Sequence, residues 1–343
     1  MNDFTDVLGD LDALLVSNPK NVRYLTGFAH EGDAWALLTP KGLLLITSPL
    51  YENELDGGPF PFVLGRDWPE LAAKHAKGRL GFEAEALTLA DYERLKAAYN
   101  GPLVPTTGRV EKKRRIKRPD EIEKIRTAAG IADAAFLALL PELAPGKTER
   151  ELALALDCGV KERGAEEKAF DPIVASGKNG ALPHARPTAK ALKAGELVTL
   201  DWGARHLGYH SDATRTWRLG EVKGDLLRLH EAVHKALAAA LKKVRPGVAA
   251  AELDRTARTA LEEEGLADYF VHALGHGVGL DVHEAPRLSA KSPDVLEAGM
   301  VITLEPGVYL PGLGGAREEH LLLVTEDGYE RLDRAPTWWE FVN

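Results

Sequence analysis

The chain has 343 residues, a length that favours two domains over one. Hydrophobic residues make up 45% and charged residues 28%, a composition typical of a folded globular chain, which excludes a largely disordered protein. The net charge of −9 argues against a protein that binds nucleic acid or a membrane surface through charge.

The single cysteine and the first residues narrow the class further. Cys158 alone excludes an internal disulfide, a four-cysteine zinc site and an iron–sulfur cluster, and its helical context predicts a small buried side chain. The acidic amino-terminal residues lead into no apolar run, and no window is long and apolar enough to span a membrane. We therefore expect a cytoplasmic protein without a signal peptide.

Residues 1–113 are predicted to form a small α/β domain. Apolar runs at 36–38 and 42–47, on either side of Pro40, indicate a β-hairpin. Further elements follow in alternation, with helices at 71–75 and 87–99 and strands at 79–82 and 103–104.

A basic run then marks a boundary, because six of the seven residues from Lys112 to Arg118 are basic. Such a run is found in nuclear signals and nucleic-acid patches. It is also typical of a solvated linker before a helix whose first turn is acidic, here Asp120 and Glu121. We favour the linker, with a boundary near residue 113 and a second domain at 119–343.

The second domain matches itself with a period of about one hundred residues. Each copy reads as a long helix, a Pro-Gly turn, a second helix closed by glycine, a loop and an apolar strand. The equivalent positions are, in pairs, 120–140 and 225–243, Pro145 and Pro246, Gly164 and Gly265, and the segments 194–203 and 298–307. This period predicts one domain built from two pseudo-equivalent halves.

The repeat brings four carboxylates into equivalent places. Asp201 and Glu305 end the two matching strands, and each strand returns with a second acid, Asp212 or Glu319. Four anions facing one another would repel strongly unless cations lie among them. Two divalent ions about 3.5–4 Å apart are a common solution, whereas exposed acids at turns are the ordinary alternative. We favour a dinuclear metal site.

Histidines accompany these acids. Residues 271–284 hold three histidines in a glycine-rich stretch, and His276 lies between glycines, where backbone can approach an ion. The repeat pairs His283, in His-Glu-Ala-Pro, with His184, in His-Ala-Arg-Pro. The Gly-x-Gly-x-Gly run at Gly275 is a weak nucleotide-loop signal without a clear strand before it. The other histidines are interpreted as structural: His30, His75, His206, His230 and His234.

Together these segments resemble the pita-bread metallopeptidases, the family of creatinase, aminopeptidase P, prolidase and methionine aminopeptidase. The resemblance rests on residues 201–216, 272–284, 304–309 and 317–319, and residues 21–28 resemble a creatinase-like N-terminal domain. It implies an α+β fold. A pita-bread catalytic domain, which is a pseudo-twofold repeat of helices and antiparallel strands, would follow a small α/β creatinase-like domain.

The resemblance also implies roles for individual residues. It implies five metal ligands, namely Asp201, Asp212, His276, Glu305 and Glu319. It implies catalytic or substrate-binding roles for His184, His272, His283, Glu305 and Arg317. His320 stands where the family usually has an acid, so Glu318 or Glu319 could supply the last ligand, and we choose Glu319 by register.

The implied activity is cleavage of the peptide bond before proline by a hydroxide that bridges two divalent ions, Mn, Co, Zn or Fe. The short first domain favours a homodimeric Xaa-Pro dipeptidase, a prolidase, acting on proline-containing dipeptides or short peptides, with no nucleic-acid or membrane partner. An aminopeptidase P acting on longer peptides remains open. A non-catalytic pita-bread peptide-binding module, a creatinase and a methionine aminopeptidase are disfavoured by the intact ligands or by the extra domain.

A dipeptidase must also hold the free carboxylate of its substrate beside the scissile bond. Near four acids that carboxylate needs a specific cation. We expect Arg186, Arg287 or Arg23 to supply it, and we expect Arg317 to orient the metal carboxylates instead.

Overall fold

The structure, a computed structural model, describes residues 4–342, and the chain divides between Arg114 and Arg115 into two compact units. Among the described residues, no helix is long and apolar enough to cross a membrane.

The first unit is built on one mixed sheet of six strands, in the order β4-β3-β2-β1-β5-β6. Its strands and helices are, in chain order, β1 (Ala13–Val16), α1 (Pro19–Thr26), β2 (Ala34–Thr39), β3 (Gly42–Thr47), α2 (Glu52–Leu55), β4 (Phe62–Leu64), α3 (Trp68–His75), β5 (Leu80–Glu83), α4 (Leu89–Ala98), β6 (Leu103–Thr106) and α5 (Arg109–Arg114). The predicted hairpin is confirmed as β2 and β3, which pair in antiparallel register from Ala34 with Thr47 to Thr39 with Gly42.

The second unit carries the remaining elements. They are α6 (Pro119–Leu139), α7 (Glu149–Glu162), β7 (Glu167–Lys168), β8 (Ile173–Ser176), β9 (Leu197–Trp202), β10 (Ala204–His206), β11 (Tyr209–His210), β12 (Ala213–Arg218), α8 (Gly224–Leu241), α9 (Ala250–Glu263), β13 (Gly275–Gly277), β14 (Glu284–Leu288), β15 (Val301–Leu304), β16 (Gly307–Leu310), β17 (Gly314–Arg317), β18 (His320–Val324), β19 (Tyr329–Arg331) and α10 (Trp338–Val342). The sheets that carry the predicted site are β12-β9-β8 and β14-β13-β15-β18-β19.

The predicted repeat is visible in the hydrogen bonds of the second unit. The amide of Gly146 donates to the carbonyl of Leu192 at 3.0 Å, and the amide of Gly247 donates to that of Leu296 at 2.8 Å. Gly164 and Gly265, which follow α7 and α9, both have a positive φ, 95° and 69°, a conformation that glycine adopts without strain. The two halves therefore share local geometry as well as sequence.

Each half packs around its own hydrophobic core. Phe136, Trp202 and Trp217 lie in the first core, where the rings of Phe136 and Trp202 stack with centroids 4.4 Å apart. Leu253 and Ile302 lie in the second. The candidate ligands lie on or directly beside strands that pack against these two cores.

Two expectations from the sequence are wrong. Cys158 is exposed, because it lies on the outer face of α7. The basic run is not a solvated linker throughout, since α5 includes its first residues and the side chains of Arg114 and Lys117 are buried. These cations are buried because carboxylate and amide partners from distant parts of the chain satisfy them.

Candidate metal centre

A cleft of about 1160 Å³ opens in the second unit. Its walls include every residue for which the sequence predicted a catalytic or metal-binding role: His184, Asp201, Asp212, His272, His276, His283, Glu305, Arg317 and Glu319. Residues more than one hundred positions apart in sequence therefore line one space.

Strand pairing explains how the acids reach the cleft. Asp201 lies near the end of β9 and pairs with Thr214 of β12, two residues beyond Asp212. In the other half, Glu305 follows β15 directly, and Glu319 lies in the short connection between β17 and β18. The main-chain amide of Glu319 donates to the carbonyl of Thr214 at 3.0 Å, which joins the two halves at the site.

Three of the predicted ligands form a tight group. Ligand atoms of Asp212, His276 and Glu319 lie within 4.8 Å of one another. His276 Nε2 is 3.6 Å from Asp212 Oδ2 and 3.4 Å from Glu305 Oε1. Asp201 and Glu305 lie in the same cleft but outside this group, and Arg317 Nη2 donates to Asp201 Oδ2 at 2.6 Å.

The donor atoms of this group suit divalent cations. Asp201 Oδ1 and Glu319 Oε1 are buried and have no hydrogen-bond partner among residues 4–342, although a buried carboxylate oxygen ordinarily has one. Carboxylate oxygens with one imidazole nitrogen form the donor set of Mn²⁺, Co²⁺, Fe²⁺ and Zn²⁺ sites. The residues present thus fit a metal centre.

Electrostatics support the same interpretation. Burial, followed by the charges of Glu319, Asp201 and Glu305, raises the pKa of Asp212 well above its ordinary value. Burial and the charge of Asp201 raise the pKa of Glu319 to about 8. Burial and neighbouring charges thus oppose ionisation of Asp212 and Glu319, and bound cations would remove that opposition.

His276 and His272 are neutral bases at physiological pH. Burial and the nearby His283 lower the pKa of His276 to about 4, which leaves a ring lone pair available to a metal. Burial also lowers the pKa of His283, whose ring centroid is 4.2 Å from that of His276. His184 and His283 are both exposed to the cleft, where they can contact a substrate.

Arg317 holds several groups in place at once. Its guanidinium donates to Asp201, to Tyr309 Oη at 2.7 Å and to the carbonyl of Pro183 at 3.2 Å. Tyr309 Oη is also 2.9 Å from His272 Nε2, and burial lowers the pKa of His272 to about 4. The sequence analysis gave Tyr309 no role, although it stands in the motif that contains Glu305.

The neighbours of Glu319 point away from the cleft. Glu318 is fully buried against α8, where His234 Nδ1 donates to its Oε2 at 3.0 Å. His320 instead donates through Nδ1 to Asp333 Oδ2 at 3.0 Å. Of the two acids that the sequence left open, Glu319 is the one on the cleft wall.

Lys117 is a further residue whose importance the sequence analysis missed. Its buried Nζ donates to Glu284 Oε1 at 2.8 Å, next to His283. Two positions before it, Arg115 forms an ion pair of 2.9 Å with Asp294. The end of the basic run thus anchors the segment that carries His283, and only the long spacing in sequence concealed this.

Comparison with known proteins agrees with this geometry. Residues 123–326 match metallopeptidase family M24, and residues 8–116 match the creatinase/prolidase N-terminal domain. The chain belongs to metallopeptidase family M24.

Relatives of this M24 metallopeptidase cover nearly its full length. It is 38% identical over 328 residues to a Xaa-Pro dipeptidase of Pyrococcus furiosus, covering 94% of both chains. The structure of a Xaa-Pro dipeptidase from Bacillus anthracis superposes with a TM-score of 0.93 at 37% identity, covering 97% of this chain and 95% of that one. An X-Pro aminopeptidase from Thermotoga maritima gives 0.90 at 33% identity, covering 97% and 98%. The predicted α+β fold, with a pita-bread domain after a creatinase-like domain, is confirmed.

Proposed function

We propose that this M24 metallopeptidase is a Xaa-Pro dipeptidase with a dinuclear metal centre. The observation that carries the proposal is the convergence of Asp212, His276 and Glu319 within 4.8 Å, with Glu305 beside His276 and Asp201 in the same cleft. Two divalent ions bound there would neutralise the acids and supply a water that loses its proton near neutral pH. Mn²⁺, Co²⁺, Fe²⁺ and Zn²⁺ all suit this donor set.

The other residues of the cleft bind and orient the peptide. His283 donates a hydrogen bond to the oxygen of the scissile carbonyl as negative charge develops on it. Glu305 carries a proton to the leaving nitrogen of proline. That nitrogen bears no hydrogen in the substrate and cannot donate a hydrogen bond. His184 and His272 therefore contact the substrate groups on either side of the scissile bond. Arg317 keeps Asp201 and Tyr309 in position.

Two of the three arginines expected to bind the substrate carboxylate are available in this cleft. Arg186 and Arg287 line the cleft, are exposed, and form no ion pair with any residue between positions 4 and 342. The third candidate, Arg23, belongs to the other unit and lies 3.8 Å from Glu31. We therefore propose that Arg186 or Arg287 binds the carboxylate of a dipeptide.

An aminopeptidase acting on longer Xaa-Pro peptides is the second candidate. The cleft, at about 1160 Å³, exceeds the range of about 300–1,000 Å³ that is usual for small-ligand pockets, so it has room for a longer peptide. The Thermotoga maritima X-Pro aminopeptidase also superposes closely.

Hydrolysis of three matched peptides separates the two candidates: Ala-Pro, Ala-Pro-amide and Ala-Pro-Ala. We expect the Mn²⁺-loaded enzyme to cleave Ala-Pro and to lose most of its affinity for the amide, because the amide lacks the charge that an arginine binds. Arg287→Gln and Arg186→Gln serve as matched variants. The responsible change should raise KM for Ala-Pro and leave KM for Ala-Pro-Ala nearly unaltered. Equal or faster cleavage of Ala-Pro-Ala by the unaltered enzyme would make it an aminopeptidase.

Metal analysis of the active protein tests the metal centre separately. We expect two divalent ions per chain, and active protein without metal would contradict the proposal. The homodimer and the cytoplasmic location stay predictions, which sedimentation velocity and cell fractionation test.

A further inference from the structure

A buried ionic network lies behind the carboxylate of Glu319, on the side away from the cleft. Asp333, only 2% exposed, forms an ion pair with Arg215 of β12, which is fully buried. The same carboxylate accepts hydrogen bonds from His320 Nδ1 at 3.0 Å, from Arg331 Nε at 3.1 Å and from the amide of Leu321 at 2.8 Å. Asp333 thus collects donors from three strands, β12, β18 and β19.

Arg215 connects this network to the metal site. Its Nη1 donates to the carbonyl oxygen of Glu319 at 2.5 Å and to that of Thr214 at 3.0 Å. Thr214 in turn donates from Oγ1 to Glu319 Oε2 at 2.7 Å. The backbone of Glu319 is therefore fixed by Arg215, and its side chain by the residue next to Arg215.

One oxygen of Glu319 remains for a cation. Thr214 donates to Oε2, whereas the buried Oε1 has no hydrogen-bond partner in the part of the chain that the structure describes. The guanidinium of Arg215 can adopt only a few orientations, because its planar fork is also bound to Asp333 and to the carbonyl of Ala335 at 2.7 Å. The network consequently aims Oε1 at the other ligands.

Stability alone does not account for such a pair. Replacing a buried ion pair by apolar side chains of similar volume is often neutral or stabilising, because both charges lose their hydration in the interior. A pair that holds a metal ligand has a different use, since the groups that orient a ligand set metal affinity by about 10- to 100-fold.

We propose that Arg215 and Asp333 are a positioning pair for Glu319, and that they set the affinity of the centre for its metal. This inference rests on the proposed function, which makes Glu319 a ligand.

The test compares two asparagine substitutions by calorimetric titration with Mn²⁺. Asp333→Asn removes the charge that orients Arg215. Asp133→Asn is the matched control, because Asp133 is also buried and binds the same segment through the amides of Arg334 at 2.6 Å and Ala335 at 2.9 Å. Within residues 4–342, Asp133 makes no hydrogen bond to Glu319 or Thr214.

We expect Asp333→Asn to weaken Mn²⁺ binding by about 10- to 100-fold and to change the visible spectrum of the Co²⁺-loaded protein. Asp133→Asn should leave both unchanged, even where it lowers the unfolding temperature by a similar amount. Equal effects of the two substitutions would overturn the proposal, because the segment would then act only through stability.

A double variant covers the case in which Asp333→Asn does not fold. Arg215→Met with Asp333→Leu leaves no buried charge of this pair without a partner. Weakened Mn²⁺ binding by the folded double variant supports the proposal, and native affinity overturns it. Failure of the unaltered protein to bind Mn²⁺ would instead overturn the proposed metal centre.

Discussion

At the scale of single residues, the cleft brings several buried carboxyl groups close together. Asp212, Glu305 and Glu319 all have a raised pKa, for which burial is the largest cause. Arg317 is the one cation within hydrogen-bond reach of Asp201 among the described residues, and it is shared with Tyr309. These raised pKa values favour the protonated carboxyl groups in the metal-free protein, so metal ions would compete with protons for the same oxygens.

Proton release should accompany metal binding. The pKa of Glu319 is raised from 4.5 to about 8 in the metal-free fold, so between these pH values the folded chain holds a proton that the unfolded chain has lost. Through this group, a rise in pH across that window makes the metal-free protein less stable. The same rise in pH makes Mn²⁺ binding tighter, because fewer protons have to leave the site. Calorimetry at pH 7 in two buffers of different ionisation enthalpy should detect released protons. Glu319→Gln should release fewer, and no release from the unaltered protein would contradict the assignment.

His283 and His276 should separate catalysis from metal binding. His283→Ala removes a donor to the developing oxyanion, so we expect turnover to fall by roughly 10²–10³ while metal content stays normal. His276→Ala is the matched control and should lose metal as well as activity, since its Nε2 faces Asp212 and Glu305. Metal analysis with peptide turnover measures both effects. Loss of metal in His283→Ala would show that the two roles are exchanged.

At the scale of elements, the glycines around His276 allow strands to approach closely. A Cβ at Gly275 would lie 2.1 Å from the carbonyl oxygen of Thr303, and one at Gly277 would lie 2.3 Å from that of Ala285. The sequence suggested that these glycines let backbone approach an ion. In the structure these glycines let β13 pack closely between β14 and β15, and His276 on β13 reaches the cleft.

Gly275→Ala should therefore damage both the fold and the site. The added methyl forces β13 away from β15, so we expect a loss of at least about 1–3 kcal/mol in the free energy of unfolding and weaker metal binding. Gly130→Ala, in the middle of α6, is the control. Apart from the backbone of α6 itself, no atom of residues 4–342 lies within 4 Å of a Cβ added there, so its free energy of unfolding should rise by about 1 kcal/mol. Urea unfolding measures both. Equal stability of the two variants would show that β13 can shift without strain.

How far the sequence predicts this structure depends on the range of the interactions. The repeat made α6 to α9 and the strands β9 and β15 predictable, because periodic apolar residues, Pro-Gly turns and closing glycines act locally. The carboxylates became recognisable because the repeat aligned them. The burial of Lys117 was not predictable, since its partner Glu284 is 167 residues away. Tyr309 escaped for the same reason, because only the fold brings His272 to its hydroxyl.

At the scale of the whole molecule, the second unit consists of two halves, each packed around its own hydrophobic core. Asp201 on β9 and Asp212 just before β12 belong to the first half, whereas His276, Glu305 and Glu319 belong to the second. The main-chain bond from Glu319 to Thr214 and the bonds from Arg215 to Glu319 cross between the halves. Each half has its own packing, and the ligands occupy the junction.

Metal ions bound at this junction would link the two halves of the second unit. Without these ions, the ligands of the two halves lose the cations that would join them, so chelation should increase local opening at this junction before either core unfolds. Hydrogen exchange should then quicken first in residues 213–218 and 320–324, while amides of α9 stay protected. Each tenfold rise in Mn²⁺ above its dissociation constant should add about 1.4 kcal/mol per bound ion to the free energy of unfolding. A melting temperature that does not change with Mn²⁺ concentration would show that the junction between the halves is stable without metal. If the melting temperature rises with Mn²⁺, removing the metal destabilises this junction as well as abolishing activity.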